Sequence, residues 1–353
     1  MLSSGAGGIA LVRTDRVPAS DAGADVPSPT PTPDFPALDA GVDGDLIVAG
    51  ADLTLIRFPL NAGGGSEVLA AGPELGGEIA AVRTAAHLLV VWTDEGLAFY
   101  SRRLPSGEFG RLTPLELRNP DAQICCDVFP DPTKEIVWTT GIEPGQHALA
   151  EPRFAAQAYT LDGEPSGSSM RLGIGQQLAG LTEDHLIVSG PDLGLVALAR
   201  VGRQKVNLGP ATLIATARRT LALRLEPCAD ACRVVVGTIE SFQEFSIPQT
   251  QPAQAWQGAF SPNERLLAVR VLDSVGPDPV HLFELSDPLV EVLTTKVAVA
   301  ELAWLGSGLL ALVERDGSVL IATRDPHGAF VLYRAPGISV PAGSRLVTGR
   351  ARR

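Results

Sequence analysis

Apolar and polar positions along the chain alternate in short bursts rather than in helical rows. Seven apolar cores recur: Leu46-Ile-Val48, Leu88-Leu-Val-Val-Trp92, Ile136-Val-Trp138, Leu186-Ile-Val188, Leu221-Ala-Leu-Arg-Leu225, Leu266-Leu-Ala-Val269 and Leu309-Leu-Ala-Leu-Val313. Each has the length of a strand buried on both faces and is too short for a helix. Centred on Ile47, Leu89, Val137, Ile187, Leu223, Leu267 and Leu310, they fall 36 to 50 residues apart. Periods in that range mark repeat architectures.

The same lesser signals return around each core. An apolar residue stands six to eight positions before most centres, clearest at Val82, Phe129, Leu181, Phe260 and Trp304, with polar or turn-forming residues in the gap. A third stretch follows, often alternating, as in Leu53-Thr-Leu-Ile-Arg-Phe58, Gly96-Leu-Ala-Phe-Tyr100, Gly194-Leu-Val-Ala-Leu198, Val280-His-Leu-Phe-Glu-Leu285 and Val319-Leu-Ile-Ala322. A fourth comes last, at Val68-Leu69, Val206-Asn-Leu208, Phe245-Ser-Ile247, Val290-Glu-Val-Leu293 and Phe330-Val-Leu-Tyr333. One such sheet leaves two apolar faces wet, whereas several set radially cover one another.

The predicted fold is therefore all-β: a seven-bladed β-propeller of four-stranded antiparallel blades over residues 44–348. Six or eight blades stay open as alternatives, because the 48- and 50-residue steps leave room for an irregular insertion between residues 101 and 175. The first unit lacks an inner strand before Asp45, and the tail Ser344-Arg-Leu-Val-Thr348 is a spare strand. The tail is predicted to pair into the first blade and close the ring, with residues 349–353 a frayed basic end. Residues 1–43 read as an unstructured Pro-, Ala- and Asp-rich segment or stalk.

The stretch Phe260-Ser-Pro-Asn-Glu-Arg-Leu-Leu-Ala-Val269 resembles the strand-turn-strand signature of WD40-like and TolB-like propeller repeats. With the period over residues 44–335, this resemblance implies a bacterial, envelope-associated propeller of the kind that binds partners.

Composition agrees with small repeated sheets. Thirty-seven Gly and 28 Pro fall between the apolar runs, as turn residues do, and aromatics make up only 5%. A net charge of −12 opposes the phosphate neutralisation that drives nucleic-acid binding, so nucleic acid is not an expected partner. Residues 1–12, small and apolar and ended by Arg13, resemble the last turns of an export or anchor helix leading into a stalk. Membrane anchoring through a segment upstream is one expectation; an ordinary unstructured N-terminus is the other.

Candidate chemistry is sparse. Cys228 and Cys232 bracket Ala-Asp-Ala in a turn between two strands, where hairpin geometry brings Cα atoms to within disulfide reach. In an envelope-type propeller they are read as a disulfide clip, with free buried thiols as the alternative. Cys125 and Cys126 are adjacent and read as two packed thiols rather than a strained vicinal pair. The two pairs lie far apart in sequence without Cys-x2-Cys spacing, which argues against zinc.

The five histidines, at 87, 147, 185, 281 and 327, show no ligand spacing, and His87 and His185 read as solvated turn residues. Residues expected to face the channel include Glu78, Gln257 and Glu301, with Leu178 and Ala211 at matching places. Two carboxylates are too few for a calcium cage, and Glu78 and Glu301 act as an acid and base pair only if they face each other across a narrow bore. Trp92 and Trp138 end central strands and are expected to pack between blades.

No nucleophile elbow, phosphate loop or dinucleotide fingerprint occurs, so neither a cofactor nor a metal is expected. The sequence thus points to a monomeric, extracytoplasmic, non-catalytic scaffold for a protein or glycan partner. The alternatives are a propeller hydrolase or lyase with acids in its channel, a sensor or accessory subunit of a membrane system, and a cytoplasmic location.

Overall fold

The computed structural model describes residues 35–38, 42, 44–50, 52, 54–60, 65–70, 79–85, 88–93, 96–104, 109–118, 123–143, 153–190, 194–202, 204–228, 231–248, 255–272, 278–342 and 344–351. These form seven four-stranded antiparallel sheets, the blades of a propeller. Blade 1 contains β1 (Gly44–Ala49), β2 (Leu55–Pro59) and β3 (Glu67–Ala70); blade 2 contains β4 (Ile79–Thr84), β5 (Leu88–Thr93), β6 (Ala98–Arg102) and β7 (Thr113–Pro114). Blade 3 follows with β8 (Gln123–Pro130), β9 (Ile136–Glu143), β10 (Arg153–Thr160) and β11 (Pro165–Arg171), and blade 4 with β12 (Gln177–Leu181), β13 (His185–Gly190), β14 (Gly194–Ala199) and β15 (Lys205–Gly209).

Blade 5 is β16 (Ala211–Thr216), β17 (Leu221–Leu225), β18 (Ala231–Thr238) and β19 (Ser241–Pro248). Blade 6 is β20 (Ala255–Phe260), β21 (Leu266–Leu272), β22 (Asp278–Glu284) and β23 (Val290–Val297). Blade 7 is β24 (Val299–Trp304), β25 (Leu310–Glu314), β26 (Ser318–Arg324) and β27 (Phe330–Ser339), and the chain ends in β28 (Arg345–Ala351). The strands β28, β4, β8, β12, β16, β20 and β24 contact one another in a closed circle around the axis.

All seven apolar cores lie in the second strand of a blade, and the packing explains why they are continuous runs. Successive side chains of a strand point to opposite faces. Leu46 and Val48 enter the apolar cluster shared with blade 7, whereas Ile47 and Ala49 enter the one shared with blade 2. Likewise Leu266 and Ala268 face blade 7, and Leu267 and Val269 face blade 5. A strand wetted on one side needs alternation; these, covered on both sides, are apolar at successive positions, with Arg224 the one polar residue within the seven runs.

The inner strands approach one another closely. A Cβ on Gly258 of β20 would stand 2.6 Å from Ile214 Cγ2 of β16, and one on Gly180 of β12 would stand 2.8 Å from Leu213 Cδ2 and Thr216 Cγ2. Glycine is therefore required at both places by space alone. Register shifts interrupt the pairing of β4, β12, β16 and β24 with their second strands. Such bulges increase local twist where the sheets converge.

Ring closure comes from β28, which pairs antiparallel with β1, placing Val347 opposite Ile47 and Leu346 opposite Val48. Val347 is fully buried between blades 1 and 2. From sequence this strand is expected to end at Thr348, with a frayed tail from Gly349. The ladder instead continues through Arg350 opposite Asp45 to Ala351 opposite Gly44, because β1 starts early enough to offer partners. Arg352 and Arg353 lie outside the described residues.

The N-terminal segment also departs from expectation: Phe35–Leu38 is placed against blade 7, where Ala37 bridges Arg334 in parallel. The apolar Phe35 and Leu38 have packing partners there, which a reading of composition alone passed over. Residues 1–34, including the apolar start and most of the expected stalk, lie outside the described residues. Among the described residues no helix is long and apolar enough to cross a membrane.

Candidate functional site

The first residues of the inner strands share one face of the ring, and a line of paired polar side chains runs across them from blade 5 to blade 1. In blade 5, Arg224 Nη2 donates to Glu226 Oε1 (2.6 Å) and to Thr212 Oγ1 (3.4 Å), with its guanidinium 5.6 Å from the Trp256 ring centre. In blade 6, Arg270 holds the equivalent place, since Thr212 lies opposite Arg224 and Gln257 opposite Arg270. Its Nη1 donates to Gln257 Oε1 (3.4 Å) and, across the seam, to Ala300 O of blade 7 (2.8 Å). At the closing seam Arg345 Nη1 donates to Glu301 Oε1 (2.5 Å).

Two expected channel residues, Gln257 and Glu301, are thus near this mouth, and each has an arginine partner. Glu78 and His87 lie outside the described residues. Leu178 is buried in the cluster between blades 3 and 4. The Trp256 indole N–H is buried without a hydrogen-bond acceptor among the described residues.

Cys228 and Cys232 form a disulfide with Cα atoms 4.8 Å apart at the end of the β17–β18 hairpin, two residues beyond Glu226. Cys232 is fully buried in the blade 5 and 6 cluster, so the clip ties the mouth hairpin to the core. Cys125 and Cys126 lie in the backbone of β8, and their side chains are outside the described residues. Trp138 packs between blades 3 and 4, and Trp92 against the blade 2 and 3 cluster. Among the described residues no group of three or more His, Cys, Asp and Glu side chains is placed to hold a metal ion.

The opposite face carries contacts the sequence reading missed. Asp131, fully buried in the turn after β8, accepts from the Thr133 and Lys134 N–H groups, from the Thr133 hydroxyl and from Trp138 Nε1 (3.2 Å). It is also ion-paired with Arg200 of blade 4, whose Nη1 donates to Thr182 O and Glu183 O. Glu183 in turn binds Arg218 Nε (2.7 Å) and Arg219 of blade 5, and Thr220 Oγ1 donates to Glu264 Oε2 of blade 6 (2.5 Å).

One signal for this girdle was present. Asp131 takes the same turn place as Ser261, each bonding the carbonyl of the next strand's first residue, Ile136 or Leu266. Between blades 4 and 5 this face holds an open groove of about 250 Å³ lined by Glu183, Asp184, His185, Arg219 and Glu240. The hydrogen bonds from Arg218 and Arg219 hold the Glu183 carboxyl below its ordinary range. Glu240 is held low by its own backbone N–H and by the Thr238 hydroxyl. His281 is buried with Nδ1 2.6 Å from Glu291 Oε1, joining β22 to β23.

These elements define a seven-bladed β-propeller with arginine-paired polar groups at one mouth of its channel. No family model matches the chain, and no curated protein matches it either. Solved structures do. The chain is similar to a putative 6-phosphogluconolactonase from Bacteroides fragilis, at 12% identity and a TM-score of 0.54, over 89% of this chain and 97% of that one. A second putative 6-phosphogluconolactonase, from Bacteroides uniformis, aligns at 11% identity and 0.55 over 86% and 100%. Hsv2 from Kluyveromyces marxianus aligns at 11% and 0.50 over 70% and 77%. At such identities the likeness is one of fold.

Proposed function

We propose that the protein is a non-catalytic binding scaffold that works outside the cytoplasm and presents its loops and ring faces to a protein or glycan. The observation that carries this reading is the pairing at the channel mouth. Glu226 accepts from Arg224 two residues before it, Gln257 and Glu301 each accept from an arginine on another strand, and Arg270 and Arg345 also tie blade to blade. A general acid or base must instead be within reach of a substrate proton. Support for an oxidising setting is the Cys228–Cys232 clip, since such bridges persist in exported proteins.

The hydrolase or lyase alternative draws on the same arginines. Their planar forks suit a carboxylate or phosphate, as on a sugar acid. Two similar folds bear the description putative 6-phosphogluconolactonase.

Proton release from δ-gluconolactone and from 6-phosphogluconolactone, measured with the pure full chain, separates the readings. The scaffold reading expects the rate of buffer alone. Saturable turnover that disappears in Glu301→Gln would overturn it.

A further inference from the structure

Outer blade edges expose unpaired backbone groups and are where sheets recruit an additional strand. On β27 that place is taken. The Arg334 N–H donates to Pro36 O (2.8 Å), and the Leu38 N–H donates to Arg334 O (2.8 Å). Side chains on either side of this bridge enter different receptacles. Phe35 packs on the apolar cluster of blades 6 and 7, with the Arg334 guanidinium 6.0 Å from its ring centre. Leu38, 8% exposed, enters the cluster of blades 7 and 1. Pro36 contributes only a carbonyl, so its missing N–H costs the pairing nothing, and its fixed φ favours the extended form.

The receiving side is held by a small hydrogen-bond network. Arg334 Nη1 donates to Glu314 Oε2 (3.1 Å) and to Ser318 Oγ (3.0 Å), and Ser318 Oγ donates to Glu314 Oε2 (2.5 Å). Glu314 is buried, so these partners keep the guanidinium beside the groove.

We propose that the outer edge of blade 7 is a recognition groove for an extended peptide of the pattern aromatic-Pro-x-Leu. In this chain it is filled by Phe35-Pro-Ala-Leu38, and it accepts the same pattern from a partner polypeptide when that segment is displaced. The resident segment is the argument for the partner's chemistry: two backbone bonds give affinity, and the aromatic and Leu receptacles give selectivity. The groove gives the scaffold reading a defined peptide partner. Peptide binding and lactone turnover are read separately, so either idea can fail alone.

The test uses the full chain carrying Phe35→Ala and Leu38→Asp, beside the unmodified chain. The probe is a fluorescent peptide of residues 31–42, and anisotropy reports binding. The double variant should bind it saturably. The unmodified chain should bind at least about tenfold more weakly, because its own segment competes at an effective concentration on the millimolar scale. A peptide with Leu38→Asp should bind neither protein.

Equal binding to both chains, no binding to either, or a variant that dimerises without taking up peptide would each overturn the proposal. Circular dichroism checks that the ring stays folded. If the double variant does not fold, Leu38→Ala alone is expected to bind with intermediate affinity, and failure to exceed the unmodified chain again overturns the groove.

Discussion

The seam between blades 3 and 4 and the seam between blades 7 and 1 solve one problem in different ways. Both bury apolar clusters. At the first, the chain passes continuously and adds a fully buried carboxylate, Asp131, against an arginine, Arg200, that is 8% exposed. At the second, the last strand, β28, passes from blade 7 into the sheet of blade 1, and the polar contact is Arg345 with Glu301, 42% and 15% exposed. Closure therefore depends on the β28–β1 ladder within blade 1 and on Leu346 and Val347, which pack toward blades 7 and 2, whereas the seam between blades 3 and 4 stakes much on a single ion pair. Burial decides how much an ion pair matters when it is broken.

That contrast can be broken first at the ladder. Deleting residues 344–353 removes two buried apolar side chains, each contributing about 1.5–3 kcal/mol, and uncovers the inner edge of β1. Melting should fall by about 10 °C or more, or cease to be cooperative. An unchanged melting curve would refute closure by this strand. Next comes Arg200→Ala, which leaves Asp131 buried beside Trp138 with no cation. Chemical denaturation should show a loss of about 3–5 kcal/mol. The matching change at the other seam, Arg345→Ala, should cost under about 1 kcal/mol. If the two costs were equal, burial would not be the distinguishing factor.

Reducing the Cys228–Cys232 clip should have an intermediate effect, about 2 kcal/mol for so short a loop, read as a shift in the denaturation midpoint with dithiothreitol. The smallest effect is in pH. Arg218 and Arg219 hold the Glu183 carboxyl low in the folded protein, so its contribution is present above the unfolded value of about 4.5 and is lost as pH falls through the lower folded value. The melting temperature of Glu183→Gln should therefore fall less steeply below pH 4.5 than that of the unmodified chain. Parallel curves would remove Glu183 from the account.

The sequence shows the blades because their physics is local. A second strand covered on both faces is apolar at successive positions, so Leu266-Leu-Ala-Val269 and its six counterparts are visible as runs. Phe260-Ser-Pro-Asn marks its own turn, since Ser261 Oγ donates to Asn263 Oδ1 two residues on. The girdle is hidden for the opposite reason: Arg200 and Asp131 are 69 residues apart, and only the packing of blade 4 on blade 3 brings them together.

The channel mouth is intermediate. Gln257 and Glu301 can be placed by repeat position, but their arginine partners come from β21 and β28, and no local pattern pairs them. Phe35 and Leu38 were obscured by their surroundings, a Pro- and Asp-rich segment whose composition reads as unstructured.

Amide hydrogen exchange along β28 addresses the ring most directly. If the C-terminal strand closes it, the β28 amides that donate to β1 should be protected to the same degree as the amides of the inner strand β24 that donate to β25. Exchange at the rate of an unstructured peptide, while β24 stays protected, would show a ring left open at its ends.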